Sequence, residues 1–282
     1  TYQQQYGMYF LFSGGVVPIK NNIGGNTAGD RNIISGNSQY GIYLDGFRAS
    51  ITGNYIGTDN IGNRIASGSQ DYGVYIKSVS LSCNVGGSRS GGYGNLISGN
   101  INSGIFINSN SSADVIEGNI IGPKADGATF QTGNQQLYGI YCNPANNTVI
   151  GGSTQDLGNF ISANETAGIR LENSFSTSII GNIIGADITG TQVITSGNQD
   201  YGIQITGTSG GLQYIGGNSS GPVFRNIISG NSASGIYCNS SNTSGCRIWG
   251  NIIGTDITGT SIITGSTQSR GIHFVNTKNN VI

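Results

Sequence analysis

Apolar and polar positions along this 282-residue chain follow a short pattern that recurs eight times: an Asn, a large apolar residue, an Ile, and then Ser or Gly. The Asn residues of the eight copies are Asn32, Asn54, Asn95, Asn119, Asn159, Asn182, Asn226 and Asn251. Steps of 22 to 25 residues alternate with steps of 40 to 44. Such self-similarity is typical of a solenoid, and the short step matches one coil of a parallel β-helix with three short strands. The long step indicates a coil with insertions.

A second pattern, Gly-Ile-Tyr-Leu at residues 41–44, marks the first strand of a coil and recurs in variants such as Gly-Val-Tyr-Ile and Gly-Ile-Tyr-Cys. Because strand side chains alternate, Ile42 and Leu44 are predicted to face the interior and Tyr43 to face outward. A further strand ends in Ile-x-Gly-Asn or in Ile/Val-Gly-Gly. We therefore expect an all-β fold. It would be a parallel β-helix of about nine three-strand coils with alternating long loops, forming one repeat domain over residues 1–282.

The eight Asn residues of the first pattern are predicted to lie at one corner of successive coils. There each side chain can hydrogen-bond the backbone and the amide of its neighbours, as stacked Asn ladders do. Asn also tolerates the left-handed backbone conformation that a sharp corner needs. The sequence thus predicts a structural asparagine ladder.

Charge excludes some classes of partner. Charged residues make up 9% of the chain and the formal net charge is −1, which leaves no basic stripe for nucleic acid and no Lys/Arg-rich face for anionic lipid. No apolar stretch reaches the roughly 18 residues of a membrane helix. We expect neither a nucleic-acid partner nor membrane insertion. The first residue is Thr1 and the last lies within a repeat, which we interpret as a fragment of a longer, processed chain.

The alternation of Asn-x-Ile-Ser-Gly-Asn with Gly-Asn-x-Ile-Gly-Thr-Asp-x-Thr-Gly-Thr resembles the right-handed parallel β-helix repeats of bacterial cell-surface and secreted proteins. The resemblance covers essentially the whole chain. It implies a right-handed solenoid of the pectate-lyase type, an extracellular or cell-surface location, and an adhesin-like or carbohydrate-associated role. The same fold also supports pectate lyases, polygalacturonases and phage tailspikes, so the fold alone does not select a function.

The carboxylates do not form the pattern of a glycosidase, which needs two or three acids converging on one site. Glu117 stands at an outward strand position, and Asp45, Asp114 and Glu172 stand at strand ends. The Asp-Asp, Gly-His-Gly and Arg-Ile-Lys clusters of polygalacturonases are absent from the sequence. The single His, His273, has no adjacent Ser, Cys or carboxylate constellation. We therefore predict no catalytic residues and no enzymatic activity.

Asp59, Asp187 and Asp256 recur in the long loops and could place calcium ligands on a stacked ridge. The same Asp, three residues before a Gly, can instead close a turn through its own backbone. One carboxylate per loop is too few for calcium, and Lys124 interrupts the row. We favour the turn interpretation and predict no cofactor and no metal.

Two outward rows are candidates for binding. The aromatic ladder, at the middle of the first strand, comprises Tyr9, Tyr43, Tyr75, Phe106 and Tyr141. The interface strip, directly after each pattern Asn, comprises Ile33, Tyr55, Leu96, Ile120, Phe160, Ile183, Ile227 and Ile252. If both rows face water, they exceed the apolar patches of an ordinary monomer and indicate contact with another protein or with a glycan. Two structural alternatives stay open. The rings could simply stabilise the sheet by stacking, or the long loops, with Ile194, Ile262 and Ile263, could fold over the interface strip.

The four cysteines are interpreted mainly as small buried apolar residues, because Cys142 and Cys238 take inward strand positions. Cys238 and Cys246 lie in one coil and are the pair that could bridge, although the sequence does not give the geometry that a disulfide needs. Cys83 is the fourth cysteine of the chain.

These patterns together favour a non-catalytic structural or adhesive repeat module of an extracellular surface protein or filament. Its expected partners are other copies of itself or further repeats of the same chain, reached through the two outward rows, with surface glycans as a further candidate. The alternative is a carbohydrate-binding or polysaccharide-degrading β-helix protein that uses the aromatic ladder.

Overall fold

A computed structural model of the chain describes residues 3–12, 14, 20–65, 70–77, 82–108, 113–133, 135–197, 199–207, 211–217, 225–240 and 245–282. Every regular element in these ranges is a β-strand, and they include no helix that could cross a membrane. The strands form three parallel sheets of nine, eight and eight strands, in which each strand pairs with the strands three before and three after it. This is the predicted all-β parallel solenoid, with somewhat fewer complete coils than the nine expected.

The three sheets differ in strand length. Sheet 1 contains β1 (Tyr6–Leu11), β4 (Tyr40–Asp45), β7 (Tyr72–Lys77), β10 (Ser103–Ile107), β13 (Tyr138–Cys142), β16 (Ala167–Glu172), β19 (Tyr201–Thr206), β22 (Ser234–Asn239) and β25 (Arg270–Val275). Sheet 2 contains β2 (Asn21–Gly24), β5 (Ala49–Thr52), β8 (Asn84–Gly86), β11 (Val115–Glu117), β14 (Val149–Gly151), β17 (Ser178–Ile180), β20 (Gln213–Ile215) and β23 (Cys246–Ile248). Sheet 3 contains the two-residue strands β3 (Ile33–Ile34), β6 (Tyr55–Ile56), β9 (Leu96–Ile97), β12 (Ile120–Ile121), β15 (Phe160–Ile161), β18 (Ile183–Ile184), β21 (Ile227–Ile228) and β24 (Ile252–Ile253).

In-register pairing stacks equivalent apolar residues on one another along the axis. Ile42, for example, pairs with Met8 on one side and with Val74 on the other, and its side chain is fully buried. β-Branched side chains suit such columns because their rotamers are already restricted and they pack well on a pleated surface. One apolar cluster therefore extends through the coils from Ile23 to Ile248.

The predicted asparagine ladder is confirmed, and Asn119 shows its bonding. The Asn119 Oδ1 atom accepts hydrogen bonds from the backbone N–H and the side-chain Nδ2 of Asn95, at 3.1 and 2.9 Å. Its own Nδ2 donates to Asn159 Oδ1 and to the carbonyl oxygen of Val85, both at 2.9 Å. Successive ladder side chains are joined throughout by contacts of 2.9–3.2 Å. The corner amides are thus paired both along the axis and across to sheet 2.

The left-handed backbone expected for the ladder Asn residues is wrong, since none of these eight described residues has a positive φ. The neighbouring glycines take that conformation instead. Gly53 and Gly57, on either side of Asn54, have φ angles of 67° and 88°. A Cβ atom at Gly57 would also lie 2.1 Å from the Ser98 carbonyl oxygen. Glycine therefore makes the corner, and Asn fills it.

A second amide ladder, which the sequence patterns above did not reveal, lies at the corner before sheet 1. Its members alternate between Gln and Asn: Gln4, Asn37, Gln70, Asn100, Gln136, Asn164, Gln199, Asn231 and Gln268. Each side-chain NH2 donates to the next amide oxygen, as from Gln70 to Asn100 at 2.8 Å. Asn stands four residues before the first-strand Gly and Gln stands three before it. The two side-chain lengths thereby bring all the amides into one column.

Asn119→Ala is expected to lower the free energy of unfolding by about 1–3 kcal/mol, because it leaves buried hydrogen-bonding groups of Asn95, Asn159 and Val85 unpaired. Chemical denaturation followed by circular dichroism measures this change. Asn60→Ala, at an exposed position, is the matched control and should change stability by less than about 0.5 kcal/mol. Equal stability of the two variants would contradict the structural role of the ladder.

Candidate interaction surface

Sheet 1 carries two adjacent columns of outward aromatic rings, which we call the tyrosine surface. The first column holds Tyr6, Tyr40, Tyr72 and Tyr138, and the second is the predicted aromatic ladder of Tyr9, Tyr43, Tyr75, Phe106 and Tyr141. Strand register sets both columns, since Tyr40 pairs with Tyr6 and Tyr72 just as Tyr43 pairs with Tyr9 and Tyr75. The first column was not predicted, although a repeated Tyr-Gly pair at residues 6–7, 40–41, 72–73 and 138–139 signals it.

In the first three coils the rings stack within a column and meet edge to face between columns, whereas the contacts of Phe106 in the aromatic ladder are tilted. The ring centroids of Tyr43 lie 5.2 Å from those of both Tyr9 and Tyr75, with interplanar angles of 12° and 18°. Tyr40 lies 5.0 Å from Tyr43 at 66°. Both arrangements suit the aromatic quadrupole and are worth about 0.5–1.5 kcal/mol per pair. The structural alternative of ring stacking is therefore supported, and the faces of Tyr43 are occupied by its neighbours.

Exposure varies along the aromatic ladder. Tyr9 is 50% exposed, Tyr43, Tyr75 and Tyr141 are half-buried, and Phe106 is only 8% exposed. The tyrosine surface is thus most accessible in the N-terminal coils.

A charged pair follows the aromatic ladder in the next coil. The Arg170 guanidinium lies 5.1 Å from the ring centroids of Tyr138 and Tyr141 and donates to the Tyr138 hydroxyl at 2.6 Å. It also donates to Glu172 Oε2 at 2.8 Å, and the Tyr141 hydroxyl donates to the same oxygen at 2.6 Å. Burial, followed by the bond to Glu172, raises the pKa of Tyr141 to about 12. The tyrosine surface therefore ends in a fixed set of polar groups.

The long loops cover part of the interface strip. Four of its residues are buried: Leu96, Phe160, Ile183 and Ile227. The last three form an apolar cluster with the loop residues Ile194 and Ile263. The alternative in which the long loops fold over the interface strip therefore holds for these coils. Of the three loop residues proposed for this role, Ile262 is instead 79% exposed.

The other strip residues are more open. Ile33 is 43% exposed, and Tyr55, Ile120 and Ile252 are half-buried. Tyr55 and Ile120 line one shallow groove on sheet 3 and Ile252 lines a second. In the first groove the Arg31 guanidinium lies 4.1 Å from the Tyr55 ring centroid. The strip is therefore divided into short segments rather than presented as one face.

The long-loop Asp residues close their own turns. Asp187 Oδ1 accepts the backbone N–H groups of Thr191 and Gln192, at 3.0 and 3.2 Å, and the Thr189 hydroxyl at 2.9 Å. Asp59 and Asp256 accept equivalent bonds within their loops, and the bond from Thr258 contributes most to holding the pKa of Asp256 below its usual value. Within the described ranges, no three His, Cys, Asp or Glu side chains are grouped to hold a metal ion. These hydrogen bonds support the turn interpretation.

Comparison of the chain with protein-family models, with curated proteins and with solved structures found no match.

Asp187→Asn is expected to change stability little, because the amide oxygen can still accept the loop hydrogen bonds. Asp187→Ala should cost about 1–3 kcal/mol. Thermal unfolding of the parent protein and of both variants, with and without added calcium, distinguishes the turn interpretation from a calcium site. A rise in the melting temperature of the parent protein with calcium, abolished by Asp187→Asn, would contradict the turn interpretation.

The folded protein is expected to lose stability between pH about 10 and about 12. Burial, together with the neighbouring phenols, raises the pKa of Tyr40 to about 12, above the value of about 10 for a free phenol. Because the pKa is higher in the folded state, the associated stability is fully present below pH about 10 and is lost as the pH rises through about 12. Phenolate absorbance and circular dichroism, recorded for the folded protein and for the protein in denaturant, measure both curves. Identical phenolate titrations in the two states would refute this.

Proposed function

We propose that this chain is a non-catalytic structural or adhesive module of an extracellular surface protein or filament, which contacts its partner through the tyrosine surface. The observation that carries the proposal is the two-column array of rings on sheet 1, in which Tyr9 is half exposed. Ordered aromatic patches of this kind favour protein contacts, because a tyrosine ring supplies apolar area and its hydroxyl a polar edge. A second copy of the chain, or further repeats of it, is the proposed partner.

The polar groups of the interior support a scaffold role. Two continuous amide ladders fix two corners of the coils, and the apolar core runs between them. Carboxylates also serve the backbone: Asp114 accepts the N–H of Cys83 at 2.7 Å, and Asp156 accepts the N–H of Ser90 at 2.8 Å. Side chains committed to such bonds hold the fold rather than react with a substrate. This use of the acids supports a non-catalytic role.

The second candidate function is carbohydrate binding or cleavage. The fixed group of Arg170, Glu172 and Tyr141 favours it, because donors and acceptors beside aromatic rings suit sugar hydroxyls. The stacking of Tyr43 between Tyr9 and Tyr75 weighs against it, since a sugar ring packs on an open aromatic face. We therefore rank it below protein contact.

Replacing Tyr43 and Tyr75 together by Ser is expected to weaken self-association by about tenfold or more, because two central aromatic contacts are lost. Sedimentation velocity over a range of concentrations measures this. The control is the Tyr214→Ser, Trp249→Ser variant, which removes two half-buried aromatic residues, one in β20 and one directly after β23, and should associate like the parent.

A parent protein that stays monomeric at every concentration and binds no surface would contradict the proposed function. A glycan array, with assays for reducing sugars and unsaturated products, tests the second candidate in parallel. Binding that is lost in Arg170→Ala would favour the carbohydrate function over protein contact.

A further inference from the structure

The interior of one coil near the C-terminal end brings two cysteine side chains into contact. Cys238 lies in β22 and Cys246 begins β23, and their Sγ atoms are 3.4 Å apart. Both residues are buried, at 0% and 1% exposure. The contact therefore crosses the corner between sheet 1 and sheet 2 from the inside.

We propose that Cys238 and Cys246 form a disulfide that clamps this corner. A disulfide needs an S–S distance of about 2.0 Å, so the two sulfurs must approach by roughly 1.4 Å. The strands are already fixed: Cys238 pairs in register with Ile205 and Phe274, and Cys246 with Gln213. The Cys246 backbone N–H also donates to Asn280 Oδ1 at 2.9 Å. Side-chain rotation can supply the approach while these strand pairs stay in place.

The other two cysteines provide controls within the same chain. Cys142 takes the position of Cys238 in its own coil, between Ile107 and Leu171, and Thr148 stands across the corner from it. Cys83 takes the position of Cys246 in another coil, where Ile76 stands across the corner. All four thiols are buried and unbridged in the structure. All four cysteines are therefore buried, but Cys238 also has a second cysteine across the corner from it.

A small disulfide such as oxidised glutathione can oxidise the two thiols by thiol–disulfide exchange. One cysteine thiolate attacks the glutathione disulfide, forms a mixed disulfide and releases one glutathione thiolate. The second cysteine thiolate then attacks the protein sulfur of that mixed disulfide and releases the other. Two cysteine thiols are oxidised, one glutathione disulfide is reduced to two thiols, and the two cysteine protons end on glutathione.

Exchange of this kind takes place while the coil is open, during folding or local unfolding. The contact with Cys246, followed by burial, raises the pKa of the Cys238 thiol, so the reactive thiolate is scarce in the closed coil. The extracellular location proposed above is where disulfides persist. The test uses defined redox buffers, so its outcome does not depend on that location.

Peptide mapping of the whole chain tests the proposal. The purified protein is refolded in a mixture of reduced and oxidised glutathione, quenched in acid, alkylated after unfolding, and digested without reductant. Because residues 239–245 contain no Lys or Arg, a tryptic digest leaves Cys238 and Cys246 on one peptide. Mass spectrometry should find this peptide without alkylation and lighter than its dithiol form by two hydrogen atoms. Cys83 and Cys142 should be recovered alkylated. Alkylation of all four cysteines, or a cross-link that contains Cys83 or Cys142, overturns the proposal.

Thermal unfolding provides the second measurement. The oxidised protein should melt about 5 °C or more above the reduced protein, because the bond restricts the unfolded chain. The Cys83→Ala, Cys142→Ala variant should keep this difference, and the Cys238→Ala, Cys246→Ala variant should lose it. Equal melting temperatures for the oxidised and reduced parent would overturn the clamp. If the second variant does not fold, the mapping of the parent and the first variant still decides between cross-linked and free thiols.

Discussion

A buried amide must have its hydrogen-bond partners, and the corners of this solenoid supply them only when the next coil presents an amide at the same height. Asn119 meets this condition by accepting from Asn95 and donating to Asn159 and Val85. A coil that placed another residue there would leave groups unpaired in the coils on both sides. The ladder thus couples each coil to its neighbours, fixes the register of all three sheets, and stacks Ile on Ile in the core.

The same register determines what the surface can offer. Sheet 1 has the longest strands, so it can present two outward residues per coil, and in the N-terminal coils both are aromatic. Sheet 3 has two-residue strands, and four of its eight outward residues are buried, three of them against loops that emerge beside it. Sheet 1 is more open than sheet 3. The tyrosine surface, rather than the interface strip, is therefore the candidate for contact with a partner.

Much of this architecture could be predicted from the sequence, because the Asn pattern and the alternation of Ile42, Tyr43 and Leu44 each span only a few residues and recur in every coil with conservative changes. The second ladder was not predicted, because its Gln and Asn residues stand at different distances from the first-strand Gly. The longer Gln side chain nevertheless reaches the same column as Asn. The outward position of Tyr40 was not predicted, because Gly41 breaks the two-residue alternation. Gly41 and Ile42 are both buried, so Tyr40 and Tyr43 both face outward. The covering of Phe160 depends on contacts with distant loop residues, which no local pattern encodes.

Hydrogen exchange in the native state tests the coupling of coils through the ladder most directly. The backbone N–H groups of Asn95, Asn119, Asn159 and Asn182 each donate to the side-chain oxygen of the next ladder residue. If these bonds hold the coils together, those four amides should be among the slowest to exchange and should open together with the sheet amides. Fast exchange at these four positions beside protected strands would contradict the account, because the sheets would then be held without the corner.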